Sequence, residues 1–257
     1  MKLEMAMVRG IIYTAIMVPA VTYLLFKGKL RKELGWVILA LSTLLGFAYF
    51  APMFPWQLQL LMLGKLPQAN LPMVVLVTSV VILSSLVVGR VFCGYVCPPG
   101  ALQELAYLAP LRKVKVPSSI TAKLRWVVFA AMIALAVGLS INLTKIVGLP
   151  DLFHLVIGPG LVIFLAIILL STVIYRPFCR FICPFGALSS LLSWKSLYGV
   201  RRNSSCVDCG RCEKVCPPQV LKGRAGSECY LCGRCMATCH KDALSYTNGT
   251  EREEVKK

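Results

Sequence analysis

Twelve cysteines dominate the chemistry open to this 257-residue chain. Eight fall in two runs, CVDCGRCEKVCP from Cys206 and CYLCGRCMATCH from Cys229, each spaced C-x2-C-x2-C-x3-C. Thiolates packed this densely are soft ligands suited to iron-sulfur cores. Structural zinc usually draws on two cysteine pairs about a dozen or more residues apart, and neither run divides that way. The other four occupy a repeated phrase, RVFCGYVCPPGAL at 90–102 and RPFCRFICPFGAL at 176–188. The two copies align without a gap and share Arg, Phe, both Cys, Pro, Gly, Ala and Leu.

The spacing of the two runs is that of bacterial two-cluster ferredoxins, in which three thiolates hold one cubane and the fourth reaches across to the other. Applied here, the crossing predicts Cys206, Cys209, Cys212 and Cys239 for one [4Fe-4S] cluster, and Cys216, Cys229, Cys232 and Cys235 for a second. Gly210 and Gly233 suit a backbone folded close around an inorganic cube. Pro217 closes the first run, and His240 stands at the matching place in the second. For Cys93, Cys97, Cys179 and Cys183 three readings stand: a third iron-sulfur cluster, redox-active thiols, or small buried hydrophobes. A pair at i and i+4 places both sulfurs on one side of a helix, and two such pairs at one end of a bundle make a four-thiolate site.

Such sites need elements to hold them. With 57% hydrophobic and 15% charged residues, the chain reads as a polytopic membrane protein rather than a soluble core. Uncharged apolar runs at 10–26, 35–51, 71–89, 126–143 and 155–175 predict five spanning helices. The predicted fold class is an all-α polytopic membrane protein with a C-terminal α+β two-cluster module. Helices two and three end in the first phrase, helices four and five in the second, so two tandem hairpins form a four-helix bundle with helix one outside it. The predicted divisions are 1–34 for the extra helix and its basic loop, 35–200 for the bundle, 201–246 for the ferredoxin-like module and 247–257 for a polar tail.

A net charge of +17 raises the question of nucleic acid, but its placement answers otherwise. Lys and Arg concentrate in 27–34, in 90–125 and beyond Arg176, which assigns those segments and the C-terminus to the cytoplasm and the N-terminus to the outside. Thiols on that side stay reduced, which argues against a disulfide framework. Lys195, Arg201, Arg202, Arg211, Lys214, Lys222, Arg224 and Arg234 predict a basic face that steers an acidic ferredoxin or flavoprotein, or contacts lipid.

Two histidines, His154 and His240, lie at opposite ends of the predicted architecture, so no haem is expected and clusters with a quinone are the redox groups. Candidates for a quinone site are Asp151 and His154 in PDLFHLV of the second external loop, and Glu104 in GALQEL. Their plainer readings are a helix cap, an interfacial histidine and the solvated face of an amphipathic helix.

Two C-x3-C-P motifs after membrane helices, followed by a two-cluster module, resemble the NapH-type membrane polyferredoxins, which are quinol dehydrogenase subunits. The membrane half of NosR-like proteins is similar. The resemblance spans residues 35 to 245; helix one is extra to its four-helix pattern, and no flavin-binding domain of the NosR kind is present. It implies a membrane-bound iron-sulfur protein of the prokaryotic inner membrane, relaying electrons between the quinone pool and cytochrome, ferredoxin-like or reductase subunits of an anaerobic respiratory system. In that role the chain is a non-catalytic or quinol-oxidising subunit of an oxidoreductase complex. The alternative is an accessory or maturation ferredoxin that reduces a metal centre or activates a partner enzyme.

Overall fold

A computed structural model describes residues 2–248, apart from 29, 31, 50–53, 66, 67, 69, 70, 141, 155 and 223. Helix α1 (Lys2–Phe26) comes first. The first repeat consists of α2 (Lys32–Tyr49), α3 (Phe54–Met62), α4 (Leu71–Val88), a π-helix (Phe92–Val96) and α5 (Pro98–Ala106). The second consists of α6 (Ser118–Leu139), the short α7 (Leu143–Ile146) and α8 (Leu149–His154), α9 (Pro159–Ser171), a second π-helix (Phe178–Ile182) and α10 (Pro184–Ser193).

Three helices among the described residues are long and apolar enough to cross a membrane: Val8–Phe26 within α1, α4 and α6. Each is apolar on nearly every side yet buried along one stripe only. In α4 that stripe is Val74, Thr78, Val81 and Ser85, and in α6 it is Thr121, Arg125, Phe129, Met132 and Ala136. A soluble helix would carry polar residues on its other sides; these carry Val and Leu, the dress of a lipid-facing surface.

Of the other two expected spans, α2 (Lys32–Tyr49) covers 35–49 of its apolar run, whereas α9 is shorter than its run and reaches only Pro159–Ser171. Pro159 at the first helical position sets the start of α9, and 13 residues reach about 20 Å, against a hydrocarbon core of about 30 Å. Helix α6 differs in the other direction. It begins at Ser118 and takes in Arg125, which the apolar pattern leaves in a loop.

The two halves are stitched together below the spans. Lys113 donates from Nζ to the carbonyls of Tyr107 at 2.6 Å, Ala109 at 2.6 Å and Thr172 at 2.7 Å, and Val114 pairs with Ile174 in a parallel bridge. Helix α5 packs on α2 and on α9, while α10 packs on α4 and α6, so each repeat's last helix lies against both hairpins.

The C-terminal module is a four-stranded antiparallel sheet in the order β2-β3-β1-β4. Its strands are β1 (Tyr198–Arg202), β2 (Leu221–Lys222), β3 (Arg224–Ala225) and β4 (Leu244–Asn248), with α11 (Arg211–Val215) and α12 (Arg234–Thr238) between them. Tyr198 pairs with Asn248 and Arg202 with Leu244. The module's two halves repeat each other residue for residue in their left-handed positions: Asp208 with Leu231, Gly210 with Gly233, and Gln219 with Asp242. The sheet runs from Tyr198 to Asn248, so the expected boundaries at 201 and 247 fall inside paired strands; residues 249–257 of the expected tail lie outside the described residues.

Candidate metal centres

Each repeated phrase folds as a π-helix followed at once by an α-helix. Cys97 N–H donates to the Phe92 carbonyl at 2.8 Å and Cys183 N–H to the Phe178 carbonyl at 2.9 Å, closing the wide turns. Pro98 and Pro184, which have no N–H to give, open α5 and α10 behind Cys97 and Cys183 in matching extended conformations, ψ 117° in both. The C-x3-C pair is therefore not a stripe on one α-helix: its first cysteine lies inside a π-helix and its second at the break between two helices. Gly100 and Gly186 allow the close turn, since a Cβ there would stand 2.7 Å from the Cys93 carbonyl oxygen and 2.8 Å from that of Cys179.

The four repeat cysteines come together. Burial pushes the Cys97 thiol well above the ordinary range, and Cys179, Cys93 and Cys183 push it further. Burial likewise raises Cys179 to about 11, against the pull of Arg176. Each repeat also sends a polar side chain to the other's first cysteine. Gln103 donates from Nε2 to Cys179 Sγ at 3.3 Å, and Ser189, at the matching position, lies with Oγ 3.7 Å from Cys93 Sγ.

In the module, one cavity is lined by Cys206, Cys209, Cys212 and Cys239, together with Asp208 and His240. Cys216 falls instead with Cys229, Cys232 and Cys235: burial pushes the Cys235 thiol up, followed by Cys232, Cys229 and Cys216. The first set is open, with Cys209 exposed, whereas Cys216 and Cys235 of the second are buried. No three His, Cys, Asp or Glu side chains among the described residues converge as closely as the ligands of one bare ion. A cubane core is broader than a single ion and holds its thiolates further apart than one ion would.

Around the four repeat thiols lies a ring of buried arginine. Arg176 donates from Nε to Glu104 at 2.7 Å and from its two Nη atoms to the carbonyls of Cys93 at 2.5 Å and Gly94 at 2.7 Å. Arg90, its counterpart in the first repeat, donates to the Gly186 carbonyl at 3.3 Å and lies 3.5 Å from Glu228. Arg125 holds Glu228 from both Nη atoms and also reaches Ser190 Oγ at 2.8 Å, and Arg234 closes on Glu104 at 2.6 Å. Burial would raise both carboxyls, but Arg176 and Arg234 hold Glu104 below the ordinary carboxylate range, and Arg125 and Arg90 do the same for Glu228. Among these residues the guanidiniums outnumber the carboxylates, a surplus that a metal core ligated by four thiolates would offset.

The second half of the module sits directly on this ring. The Tyr230 ring lies between the Arg90 guanidinium at 4.2 Å and that of Arg176 at 4.9 Å. Tyr95 Oη donates to the Leu231 carbonyl at 3.2 Å, and Gly94 leaves room for the Tyr230 carbonyl, which a Cβ would approach to 2.4 Å.

The quinone-site candidates separate. Glu104 is buried, 3% exposed, rather than on a solvated helix face. With Trp36, Leu39, Tyr95 and Cys232 it lines an apolar cavity between α2, α5 and the module. Asp151 lies in the first turn of α8 rather than at its cap, beyond the far end of α9 from the thiols, and the His154 side chain lies outside the described residues. The expected basic face also thins: Arg201 is buried, Arg202 is held by Asp208 and Glu213, and Arg234 is turned inward to Glu104. Lys195, Arg211 and Lys214 are exposed, while the side chains of Lys222 and Arg224 lie outside the described residues. Sequence reasoning reads Arg90, Arg125 and Arg176 as topology signals and passes over Tyr230 and Glu228. The repeated arginine at the head of each phrase was the available sign.

Two segments, residues 70–117 and 156–203, match the family described as a 4Fe-4S binding domain, each holding one repeated phrase and ending before the C-terminal cysteine runs. The chain thus carries two segments similar to that domain, and three of its described helices are long and apolar enough to cross a membrane. An uncharacterized protein of Methanocaldococcus jannaschii is 35% identical over 55% of this chain and 64% of its own length. The putative electron transport protein YccM of Escherichia coli is 28% identical over 62% of this chain and 50% of its own. The ferredoxin-type protein NapH of Escherichia coli is 29% identical over 63% and 61%. The chain is similar to these proteins, a ferredoxin-type protein among them, and spans less than two thirds of the length of each. No solved structure matches it.

Proposed function

We propose that the chain carries three [4Fe-4S] clusters, held by Cys93, Cys97, Cys179 and Cys183, by Cys216, Cys229, Cys232 and Cys235, and by Cys206, Cys209, Cys212 and Cys239. They relay electrons between a membrane quinone and a soluble or membrane redox partner. The observation that carries this reading is the seating of the Cys229–Cys235 half of the module on the four-thiol site through Tyr230 and Tyr95. That contact orders the centres from buried to exposed, with the Cys209 loop as the outer port. Exposed Arg211, Lys214 and Lys241 beside it favour an acidic partner. In this reading the hairpins cross the inner membrane several times and the module faces the cytoplasm, where Lys and Arg concentrate.

The apolar cavity beside Cys232 supports quinone entry from the bilayer, since Trp36, Leu39 and Tyr95 offer a flat apolar wall and Glu104 a polar end. Held ionised by two arginines, Glu104 is suited to accept a hydrogen bond from a quinol hydroxyl rather than to keep its proton. Iron and acid-labile sulfide in anaerobically purified protein test the cluster count: about twelve irons per chain supports it and about eight overturns the third cluster. Reduction by a menaquinol analogue tests the quinone, and clusters that never respond to quinol or quinone overturn that part.

A further inference from the structure

Arg90, Arg125, Arg176 and Arg180 are all buried, and Arg234 is 22% exposed on its side chain; the carboxylates set among them are Glu104 and Glu228. Such an excess of buried positive charge is costly unless something negative shares the space. Two of the five stand apart, because they head the two repeated phrases and because a single ring from the module holds both. Arg90 and Arg176 lie on Tyr230 at 4.2 Å and 4.9 Å, and both are electrostatically coupled to Cys179, Arg90 also to Cys93. Arg90 also donates to the Gly186 carbonyl and to Glu228, and Arg176 to the Cys93 and Gly94 carbonyls and to Glu104. A guanidinium gripped by backbone carbonyls and an aromatic face cannot swing away when the charge beside it changes.

From this geometry we propose that Arg90 and Arg176, clamped by Tyr230, are positioning residues that fix positive charge beside the four-thiol centre and raise its reduction potential. The inference rests on the reading of that site as an iron-sulfur centre. One-electron reduction adds one negative charge to the core and makes or breaks no bond, so a fixed cation favours the reduced form. Because the clamp is a residue of the module, the potential of the membrane site depends on how the module is docked.

The test is a redox titration of the full-length protein in detergent, followed by electron paramagnetic resonance, with iron counted in the same samples. Arg90→Gln and Arg176→Gln are each expected to lower the potential of the four-thiol centre most, with a smaller shift at the centre holding Cys229, which Arg90 also acts on, and none at the Cys206 centre. Arg90→Lys and Arg176→Lys, which keep the charge, bring the wave of the four-thiol centre back towards its original position. Glu104→Gln removes the counter-charge of Arg176 and shifts the same wave upward, together with that of the centre holding Cys232, which Glu104 also faces, while the Cys206 centre stays put, so the test survives if a glutamine variant of either arginine loses iron. A wave that stays put in every iron-replete variant, or waves that all move together, overturns the proposal. Wild-type protein with about eight irons and no wave assignable to Cys93 and Cys179 overturns the cluster reading beneath it instead.

Discussion

The two repeated phrases are nearly superimposable in their cysteines, prolines and glycines, and they differ where the module lies. Gly94 in the first repeat makes way for the Tyr230 carbonyl; its counterpart Arg180 is a full buried side chain, bonded to the Val116 carbonyl and Thr121 Oγ1. Glu104 reaches out to Arg234 of the module, whereas Ser190 at the matching place turns to Arg125 of its own half. The first repeat turns at Gly89, φ 70°, and the second one residue later in register at Arg176, φ 47°, a conformation that costs a non-glycine residue energy and is held by three side-chain hydrogen bonds. Symmetry is kept in the cysteines proposed to hold a metal core, and broken for what binds the neighbouring domain.

If that division holds, the largest effects come from the symmetric part and strike both repeats alike. Cys93→Ser and Cys179→Ser are each expected to remove about four of roughly twelve irons, with the two variants indistinguishable by iron and sulfide analysis. Next come the asymmetric contacts. Glu104→Gln leaves Arg176 and Arg234 buried without their counter-charge and should lower stability by about 3 kcal/mol, whereas Ser190→Ala loses one hydrogen bond and should cost about 1 kcal/mol, both read from denaturation in detergent. Gly94→Ala drives a methyl into the Tyr230 carbonyl and should cost about 1 to 3 kcal/mol; Gly199→Ala, with open space around its position, should stay within about 0.5 kcal/mol.

The smallest effect compares Gln103 with Ser189. A hydrogen bond to a ligand sulfur favours the reduced core, so Gln103→Leu and Ser189→Ala should each lower the potential of the four-thiol centre. Gln103 should do so more, because its contact is 3.3 Å against 3.7 Å. Equal shifts would show that the two halves are electrically alike after all.

Much of the metal chemistry was legible because thiol spacing is a local signal. The gapless repeat pointed to four thiols at one place, and the structure brings Cys93, Cys97, Cys179 and Cys183 together. The arginines were not legible in the same way, because a basic residue at the end of an apolar run reads equally well as a topology marker, and its partner is far away in the chain. Arg125 meets Glu228 across 103 positions and Arg234 meets Glu104 across 130. The apolar runs located the helices but not their lengths: Pro159 cut α9 short, and the segment read as an external loop folded into α7 and α8. The solvated-face reading of Glu104 fails for a related reason, since helix periodicity shows a polar face and cannot tell solvent from a neighbouring domain.

Strand β4 pairs with β1 along its whole length, and Tyr246 on it donates to the Val88 carbonyl at 2.8 Å, at the foot of the first hairpin. Every cysteine precedes this strand on the chain. The strand that latches the module to the first repeat therefore begins five residues beyond the last cysteine, Cys239. Loss of β4 would unpair that edge of β1 and release the Tyr246 latch on the first hairpin without removing a single thiol.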